Sequence, residues 1–419
     1  MALDLLSATS RVETPFIIAT IGGYTFGNYS KTTQNVVDEN GFNRKILASF
    51  PNFINSLRVN KVNGSVNSYT LSLVYAIQAG DDSNKIDKIL SKASKDRLMT
   101  ISYGDYSLPN FIYKEEEAII TKVTRKINIQ SSTINYTISA VSRAKLASMG
   151  NFDFPKTHDK PSNVFKSILY NESFGLLDIF YGMRDESLVN IKGLLNVDDK
   201  EVDIEAKLNT SPLDYLSYLV GCMTSVTDTE DSFTSNHKYI YNIYDDISGE
   251  FGGPYIKIIK VAKTVGELNS LEDYEIIVGY PTADIVVDFD VTSDDAYTLL
   301  YDYSKSLKQT EYGYRINDEG EFDYIYAPNL ITNPNIFKPT AVDKTWWNQV
   351  TSYPIKATIT LKGLLKPAIL MSYVKLDVRF YGSKYNASGT YIITQQSDSV
   401  DMSGFRTTLT LTRILGDEL

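Results

Sequence analysis

The sequence has very few of the residues that form disulfides, thiolate metal sites and histidine-based active sites. Its 419 residues include one cysteine, Cys222, and two histidines, His158 and His237. One cysteine excludes an internal disulfide and a zinc site built from several thiolates. Cys222 lies in the apolar run 215–223, which predicts a buried core residue rather than a reactive thiol. Neither histidine has an acid, serine or cysteine at a known catalytic or zinc spacing, so we expect neither to be catalytic.

Motifs of common enzyme classes are also missing. The chain has no Gly-x-Ser-x-Gly motif, no glycine-rich phosphate loop and no paired-cysteine motif. We therefore predict no catalytic residue, no metal site and no cofactor, and expect that the protein is not an enzyme.

Basic charge and long apolar runs are scarce as well. The net charge of −10 argues against sequence-independent binding of nucleic acid, which needs a surplus of lysine and arginine on one face. No stretch of about eighteen apolar residues is present that would span a bilayer. The first twenty residues lack a basic segment followed by an apolar run, so we expect synthesis in the cytoplasm without a membrane-spanning segment.

Tyrosine, in contrast, is abundant. The chain has 30 tyrosines and only 22% charged residues, a composition typical of a β-rich protein with surfaces that are both apolar and hydrogen-bonding. The length is sufficient for two to four domains.

A pattern near the middle of the chain is repeated near its end. Ala118–Thr121 and then Thr133–Arg143 resemble Tyr391–Thr394 and then Phe405–Arg413. In both cases an apolar strand precedes one that alternates Thr or Ser with aliphatic residues and ends in arginine, which predicts a β-hairpin. Such alternation alone is common in antiparallel strands.

The repeat extends upstream. Tyr69–Tyr75 precedes Asp81-Asp82 and a helical pattern, as Asp284–Asp290 precedes Asp294-Asp295 and another. The ordered recurrence of strand, acidic pair, helix and hairpin predicts two related β modules with one helix each, which should superpose. Other period-two segments are predicted as strands at residues 17–29 (a pair around Gly22-Gly23), 53–62, 68–77, 98–103, 118–129, 134–141, 357–364, 373–381, 389–395 and 405–414.

Local signals predict the remaining elements and the domain order. Asn63-Gly64 is a hairpin turn, Ser83 or Asn84 caps a helix through Ser94, and prolines at 161 and 212 start two more helices. Strands at 239–244, 255–261 and 274–278 are expected to form a separate small β element. The predicted fold is mainly β with α+β insertions, in four parts: 1–143, a first tube-like β-barrel; 144–235, a mixed or helical connection; 236–282, a small β insertion; and 283–419, a second barrel with an insertion at 309–348.

Three groups of residues suggest chemistry but have simpler interpretations. The pairs Asp81-Asp82, Asp245-Asp246 and Asp294-Asp295 lack the loop spacing of a calcium hand, and two of them suit helix N-termini. Adjacent acids such as Glu115–Glu117 are more typical of a solvated surface than of the carboxylate pair of a glycosidase. Trp346-Trp347 is a conceivable sugar platform, but such pairs more often pack a loop onto a core or a partner.

The C-terminal strands resemble a known family. Ile359–Gly363, Leu376–Gly382, Gly389–Ile393 and Gly404–Arg413 are similar to the closing barrel of phage tail hub proteins, which are related to the base of type VI secretion spikes. The resemblance covers the last sixty or so residues well, the first module moderately and the region 144–282 poorly.

The resemblance implies a structural role. Hub proteins of contractile tails are homotrimers with two tube-like barrels per chain, and their six barrels form a ring between the hexameric tail tube and the trimeric central spike. The implied location is the baseplate of a virion, among other baseplate proteins, after synthesis in the host cytoplasm. DNA would pass through the channel without specific binding, and we expect an acidic lumen that repels phosphates.

Two alternatives remain open. A distal tail or tube protein would be hexameric and would need only one barrel per chain. A tail-associated glycan-binding or cell-wall-degrading module would use Trp346-Trp347 and the acidic loops.

Overall fold

A computed structural model describes most of the predicted strands. It covers residues 15–28, 34–37, 43–46, 50, 52–77, 86–90, 97–105, 115–226, 237, 239–247, 249–262, 272–278, 286–293, 314–316, 322–324, 355–362, 370–380, 383–385 and 387–416. The pairs Asp81-Asp82 and Asp294-Asp295, the helix predicted after Asp295, and Trp346-Trp347 lie outside the described residues.

The protein is mainly β, as predicted. Its strands are β1 Pro15–Ile21, β2 Tyr24–Gly27, β3 Gln34–Val37, β4 Asn43–Ile46, β5 Ile54–Val62, β6 Ser68–Ala76, β7 Leu98–Asp105, β8 Glu116–Asn128, β9 Thr133–Ser142, β10 Phe152–Phe154, β11 Thr157–Asp159, β12 Val202–Ile204, β13 Lys207–Thr210, β14 Tyr239–Tyr244, β15 Tyr255–Lys260, β16 Glu272–Val278, β17 Val286–Ser293, β18 Tyr314–Ile316, β19 Phe322–Tyr324, β20 Ile355–Lys362, β21 Tyr373–Phe380, β22 Ser383–Lys384, β23 Gly389–Asp401 and β24 Gly404–Gly416. The helices are α1, described over residues 86–90, α2 Pro161–Leu169, α3 Leu176–Ile179, α4 Glu186–Lys192 and α5 Pro212–Cys222.

One sheet of 14 strands contains both predicted modules. Its continuous path runs β17-β20-β24-β23-β5-β6-β9-β8-β7-β1-β2, and β21 adds to β23 with β16 and β22 beside it. The strands of the second module therefore lie at one end of the path and those of the first module at the other. They meet where β23 pairs with β5.

The first module follows the predicted hairpins. Gly22 and Gly23 form the turn between β1 and β2, and Asn63-Gly64 forms the turn between β5 and β6. Gly64 has a φ of 66°, a conformation that glycine adopts at little cost. The predicted helix is present as α1, and its residues Ile86, Ile89 and Leu90 are buried in the core of this module.

The central region has its own core. Both helices predicted from proline begin there: Pro161 is the first residue of α2, and Pro212 is the first residue of α5. The Ser211 hydroxyl caps α5 by accepting a hydrogen bond from the amide of Asp214. Apolar residues of α2, α5, β14 and β15 pack into one cluster, separate from the cores of the two modules.

One strand was placed in the wrong element. β14 and β15 form the expected two-stranded sheet, but β16 pairs in parallel with β21 of the large sheet, with Ile276 beside Leu376. The prediction that residues 274–278 belong to a separate small β element is therefore wrong. Parallel pairing joins strands that are distant in sequence, so no local turn signal identifies the partner.

The first module's core includes residues of the second module. Val400 of β23 and Phe405 of β24 lie in the same cluster as Leu57 and Val59 of β5. The second module has a core of its own around Ile359, Leu376 and Leu409. Among the described helices, none is both long and apolar enough to cross a membrane.

Candidate functional site

Four strands of the first module are repeated in the second with the same register. Unit 1 is β5-β6-β9-β8, and unit 2 is β17-β20-β24-β23. In unit 1, Leu57, Leu71 and Ile138 lie side by side on β5, β6 and β9. In unit 2, the same row is Phe289, Ile359 and Leu409 on β17, β20 and β24.

Two irregularities of unit 1 also recur at equivalent positions in unit 2. β5 and β17 each have a register shift two residues before this row, between Ile54 and Ser56 and between Val286 and Asp288. β8 and β23 each have one after the sequence Ile-Ile, at Thr121 and Thr394. Because bulges are specific features of a strand, two coincident bulges support the repeat much more strongly than alternation does.

The two threonines at the second bulge make the same hydrogen bond. The Thr121 hydroxyl donates to the carbonyl of Ser139 at 3.0 Å, and the Thr394 hydroxyl donates to the carbonyl of Thr410 at 3.2 Å. Ser139 and Thr410 occupy equivalent positions in β9 and β24. The predicted match of Ala118–Thr121 with Tyr391–Thr394 is confirmed at this level of detail.

Two details of the predicted repeat differ in the structure. Arg413 pairs with Tyr391 and is therefore equivalent to Ser142, not to Arg143. The upstream match also fails, because β6 pairs directly with β9 whereas β20 lies between β17 and β24. By its position in the sheet, β17 corresponds to β5. It resembles β6 only in its local sequence pattern.

Unit 1 and unit 2 are joined by the pairing of β23 with β5, here called the strand junction. Residues 395–401 of β23 run antiparallel to residues 56–62 of β5, with Val400 opposite Leu57. Both side chains are fully buried. The Ser397 hydroxyl donates to the side-chain oxygen of Asn60 at 2.7 Å.

Beyond the end of β5, the next turn also contacts the bulge of β23. The Asn63 amide donates to the carbonyl of Thr394 at 3.0 Å. The Asn63 side chain donates to the carbonyl of Ile393 at 3.3 Å. The strand junction therefore includes the bulge as well as the strand pairing.

A buried polar network lies beneath the strand junction. Lys61 of β5 forms an ion pair with Glu116 of β8, and both side chains are about 95% buried. The Tyr69 hydroxyl lies 2.9 Å from a carboxylate oxygen of Glu116 and 3.0 Å from one of Asp245. Since β6 and β9 separate β5 from β8 in the sheet, the Lys61–Glu116 contact requires the sheet to curl around a shared interior.

Asp245 connects this network to the central region. Its carboxylate accepts hydrogen bonds from the Asn67 side chain at 2.8 Å and from the Ser142 hydroxyl at 2.5 Å. Its carbonyl accepts one from the amide of Glu117 at 3.0 Å. The end of β14 is thereby fixed against the start of β8.

Asp398 connects the network to the second module. This carboxylate, on β23, accepts hydrogen bonds from Tyr103 at 2.8 Å, Thr407 at 2.7 Å and Gln396 at 2.7 Å. Tyr103 is on β7, so the two ends of the β23-to-β7 segment of the sheet approach each other across the interior.

Burial sets the charge state of these carboxyls. Burial raises the pKa of Asp245 to about 6, although hydrogen bonds from Ser142 and Asn67 act in the opposite direction. Burial likewise raises the pKa of Asp398 to about 6, opposed first by the charge of Lys61. One buried lysine therefore faces three buried carboxyls, and for two of them, Asp245 and Asp398, the low dielectric disfavours the ionised form.

The outer half of β8, residues 122–128, differs sharply from the equivalent part of β23. Its residues are exposed, and among the described strands only β9 pairs with it. Ile127 is 52% exposed whereas its equivalent Val400 is 0% exposed. β17, the equivalent of β5, has only β20 as a described neighbour, and Phe289 is only partly buried where Leu57 is fully buried.

A basic cleft adjoins the bulge of β8. Its volume is about 660 Å³, and it lies between α1 and the outer half of β8. Its charged lining residues are Lys88, Arg97, Lys122 and Arg125, with Asp87 as the acidic member. Within this lining, Arg125 pairs with Asp87 at 2.6 Å.

The sheet surface opposite the cores is lined by short polar side chains, among them Thr70, Ser72, Thr137, Ser139, Thr358, Thr360, Ser397, Ser399, Thr408 and Thr410. Thr360 and Thr408 are hydrogen-bonded across β20 and β24 at 3.0 Å. This surface also carries charged residues on the described parts of the two units. The basic ones are Arg58, Lys122, Lys126, Lys356, Lys362 and Arg406, and the acidic ones are Asp288, Asp290 and Asp401.

The structure separates the residues that suggested chemistry. His158 is exposed on β11 beside Asp203, with 2.9 Å between Nδ1 and Oδ1, whereas His237 is buried in the central region. Cys222 is buried, as predicted. Among the described residues, no three His, Cys, Asp or Glu side chains are grouped as metal ligands.

The interpretation of Glu115–Glu117 as a solvated surface is wrong. Glu116 is buried in the polar network, and Glu117 is 9% exposed and bonded to Arg143 at 2.8 Å. Sequence analysis missed the network because its members are scattered from Lys61 to Thr407. One signal was available: Leu57, Val59 and Lys61 share the inward face of β5, which places a lysine on an apolar face.

Comparison with known proteins identifies the fold. No family model matches the sequence, and no curated protein is significantly similar to it. The structure is similar to the 43 kDa tail protein of prophage MuSo2 from Shewanella oneidensis, with a TM-score of 0.50, 10% identity, and coverage of 96% of this chain and 97% of that one.

Two further structures show weaker similarity. A tail protein from Neisseria meningitidis MC58 has a TM-score of 0.47 at 8% identity, covering 95% of this chain and 96% of that one. The E. coli c3393 protein, described as a type VI secretion component similar to the T4 tail proteins gp27 and gp5, has a TM-score of 0.45 at 10% identity, covering 96% and 79%. This chain shares the fold of the prophage tail protein over nearly its whole length, in agreement with the predicted resemblance to phage tail proteins.

Proposed function

We propose that the protein is a structural component of a phage-type virion, a homotrimeric baseplate hub that connects a sixfold tail tube to a threefold central spike. The observation that carries this proposal is the repeat of unit 1 in unit 2 with matching register and matching bulges. The tail-protein fold supports the same assignment.

The repeat suits a symmetry adaptor. In a trimer, the two equivalent units of each chain present six similar surfaces to a hexameric tube. The parts of the chain that are not repeated occur three times and suit a trimeric spike. In this proposal residues 1–143 and 283–419 are the two tube-like barrels, with the insertion at 309–348. Residues 144–235 and the two-stranded sheet of β14 and β15 face other baseplate proteins, whereas β16 belongs to the second barrel. A distal tail or tube protein would need only one such unit per chain.

We further propose that the Thr/Ser-rich face of the sheet lines the DNA channel. The lysines and arginines of this face can contact phosphates, which carry no sequence information, and its short hydroxyl side chains do not reach base edges, so DNA would pass without sequence-specific binding. The proposed role is mechanical and requires no catalytic residue.

The test is the stoichiometry and symmetry of the full-length protein. Light scattering should give three times the 47.1 kDa of one chain, and electron microscopy should show six similar units around a pore. A ring of six chains would favour the tube or distal tail protein instead. A monomer that binds peptidoglycan fragments or glycans, and loses binding after Trp346→Ala with Trp347→Ala, would favour the glycan-binding or wall-degrading alternative.

A further inference from the structure

We propose that the outer half of β8 binds strand β17 of a second copy of this chain, in the register with which β5 binds β23 inside one chain. The inference rests on the proposed trimer and specifies the contact that closes it. It places Ile127 opposite Phe289, Lys126 opposite Asp290, and Thr124 opposite Thr292 of the neighbouring copy.

The register follows from the repeat. Val400, Ser399 and Ser397 of β23 lie opposite Leu57, Arg58 and Asn60 of β5. In unit 1, the positions of these three β23 residues are occupied by Ile127, Lys126 and Thr124, the same number of residues after the bulge.

The β5 side of the junction is transferred in the same way. In unit 2, the positions of Leu57, Arg58 and Asn60 are occupied by Phe289, Asp290 and Thr292. Antiparallel pairing of β8 with β17 therefore reproduces the strand junction, and the repeat alone fixes the register.

Apolar exposure is matched on the two edges. Val123 and Ile127 are 37% and 52% exposed on β8, and Val287 is 52% exposed on β17. Phe289 and Val291 pack against the second core but are not fully covered. Their equivalents at the strand junction, Leu57 and Val59, are fully buried because β23 covers them.

The charges of the two edges are complementary. The outer half of β8 carries Lys122, Arg125 and Lys126, and the basic cleft lies beside it. β17 carries Asp288 and Asp290, and the sequence continues into two more aspartates. At the strand junction inside the chain the corresponding pair is Ser399 and Arg58, so the opposite charges are specific to this second contact.

Polar pairing is matched as well. At the strand junction Ser397 donates to Asn60 at 2.7 Å, and the equivalent residues Thr124 and Thr292 are both hydroxyl residues able to hydrogen-bond across strands. An exposed strand edge is a hazard for aggregation unless it is paired. One strand junction within each chain and one between chains would close six units into a ring.

Engineered disulfides test the register. Lys126→Cys with Asp290→Cys puts thiols at opposite positions on two exposed strands, where facing Cβ atoms lie about 5 Å apart. Mild oxidation of the full-length double variant should give covalent dimers and trimers on a non-reducing gel. The mismatched control, Lys122→Cys with Asp290→Cys, is displaced by four residues, about 13 Å along the strand, and should stay uncrosslinked.

Two further samples complete the experiment. Ile127→Cys with Phe289→Cys tests the same register at an independent pair. A mixture of the single variants Lys126→Cys and Asp290→Cys should give dimers only, since each chain then has one engineered thiol and Cys222 is buried.

The outcomes separate this inference from the proposed function. Crosslinking of both matched pairs but not of the mismatched pair supports the register. A trimer by light scattering in which neither matched pair crosslinks overturns the register and leaves the trimeric hub in place. A monomer that never crosslinks overturns both.

Discussion

Lys61 and Glu116 form an ion pair across the interior of unit 1, from β5 to β8, and both side chains are almost fully buried. The same lysine acts electrostatically on Asp245 from the central region and on Asp398 from the second module. Three parts of the chain therefore depend on one buried cation. A buried pair is costly to break because each partner keeps the other from being an isolated charge in a low dielectric.

Lys61→Met is expected to destabilise the protein by about 3–5 kcal/mol, since it leaves Glu116 buried without its counterion. The double variant Lys61→Met with Glu116→Gln should recover much of this loss, because the glutamine still accepts the hydrogen bond from Tyr69. Urea unfolding followed by tyrosine fluorescence measures the differences. The exposed pair Lys156–Glu205 is the control, and Lys156→Met should cost less than about 1 kcal/mol. Equal losses in the free energy of unfolding for Lys61→Met and Lys156→Met would contradict the importance of burial.

Asp398 makes the stability of the protein depend on pH. Its folded pKa of about 6 is above the value of about 3.9 for an unfolded aspartate, so the folded state binds the proton more tightly between these values. Stability from this group is greatest below about pH 4 and is lost as the pH rises through 6. Asp398→Asn should remove this dependence and gain roughly 2 kcal/mol relative to the wild type between pH 4.5 and pH 7.5. Unfolding midpoints that change in parallel for the two proteins would refute this role.

Most strands of the large sheet were predictable because their signals are local. The turn at Asn63-Gly64 and the alternation in β6 and β9 depend on residues within a few positions of each other. The match of Ala118–Thr121 with Tyr391–Thr394 was also visible, although only the coincident bulges show its significance.

What sequence analysis missed depends on residues that are far apart in the chain. β16 finds its parallel partner β21 about a hundred residues later, and no turn connects them. Glu116 looks like a surface acid until β5 brings Lys61 across the interior. Val400 belongs to the core of the first module only because β23 pairs with β5. Local propensity carries no information about such contacts, which arise from tertiary packing.

Gly182 is predicted to be essential for packing in the central region. A Cβ atom on this residue would lie 2.4 Å from the carbonyl oxygen of Gly253, a backbone atom that cannot move away easily. Gly182→Ala should therefore destabilise the protein by about 1–3 kcal/mol. Gly175→Ala is a useful comparison, because that residue has a φ of 60° but no atom within 4 Å, so only backbone strain of about 1 kcal/mol is expected. Thermal unfolding of both variants distinguishes steric overlap from backbone strain, and a larger loss for Gly175→Ala would contradict the packing argument.

Charge reversal at the proposed contact between copies should alter assembly without altering the fold. Lys126 and Asp290 are both exposed, so Lys126→Glu or Asp290→Lys alone should leave the melting temperature of the chain nearly unchanged. Each single reversal places like charges on facing strands and should weaken association about tenfold or more. The double reversal restores opposite charges and should restore assembly, as measured by sedimentation at several protein concentrations. Added salt should weaken the wild-type association and relieve the single variants, because exposed charges are screened at short distances. If the double variant assembles no better than the single ones, Lys126 and Asp290 do not face each other, and the contact between copies uses another register or another surface.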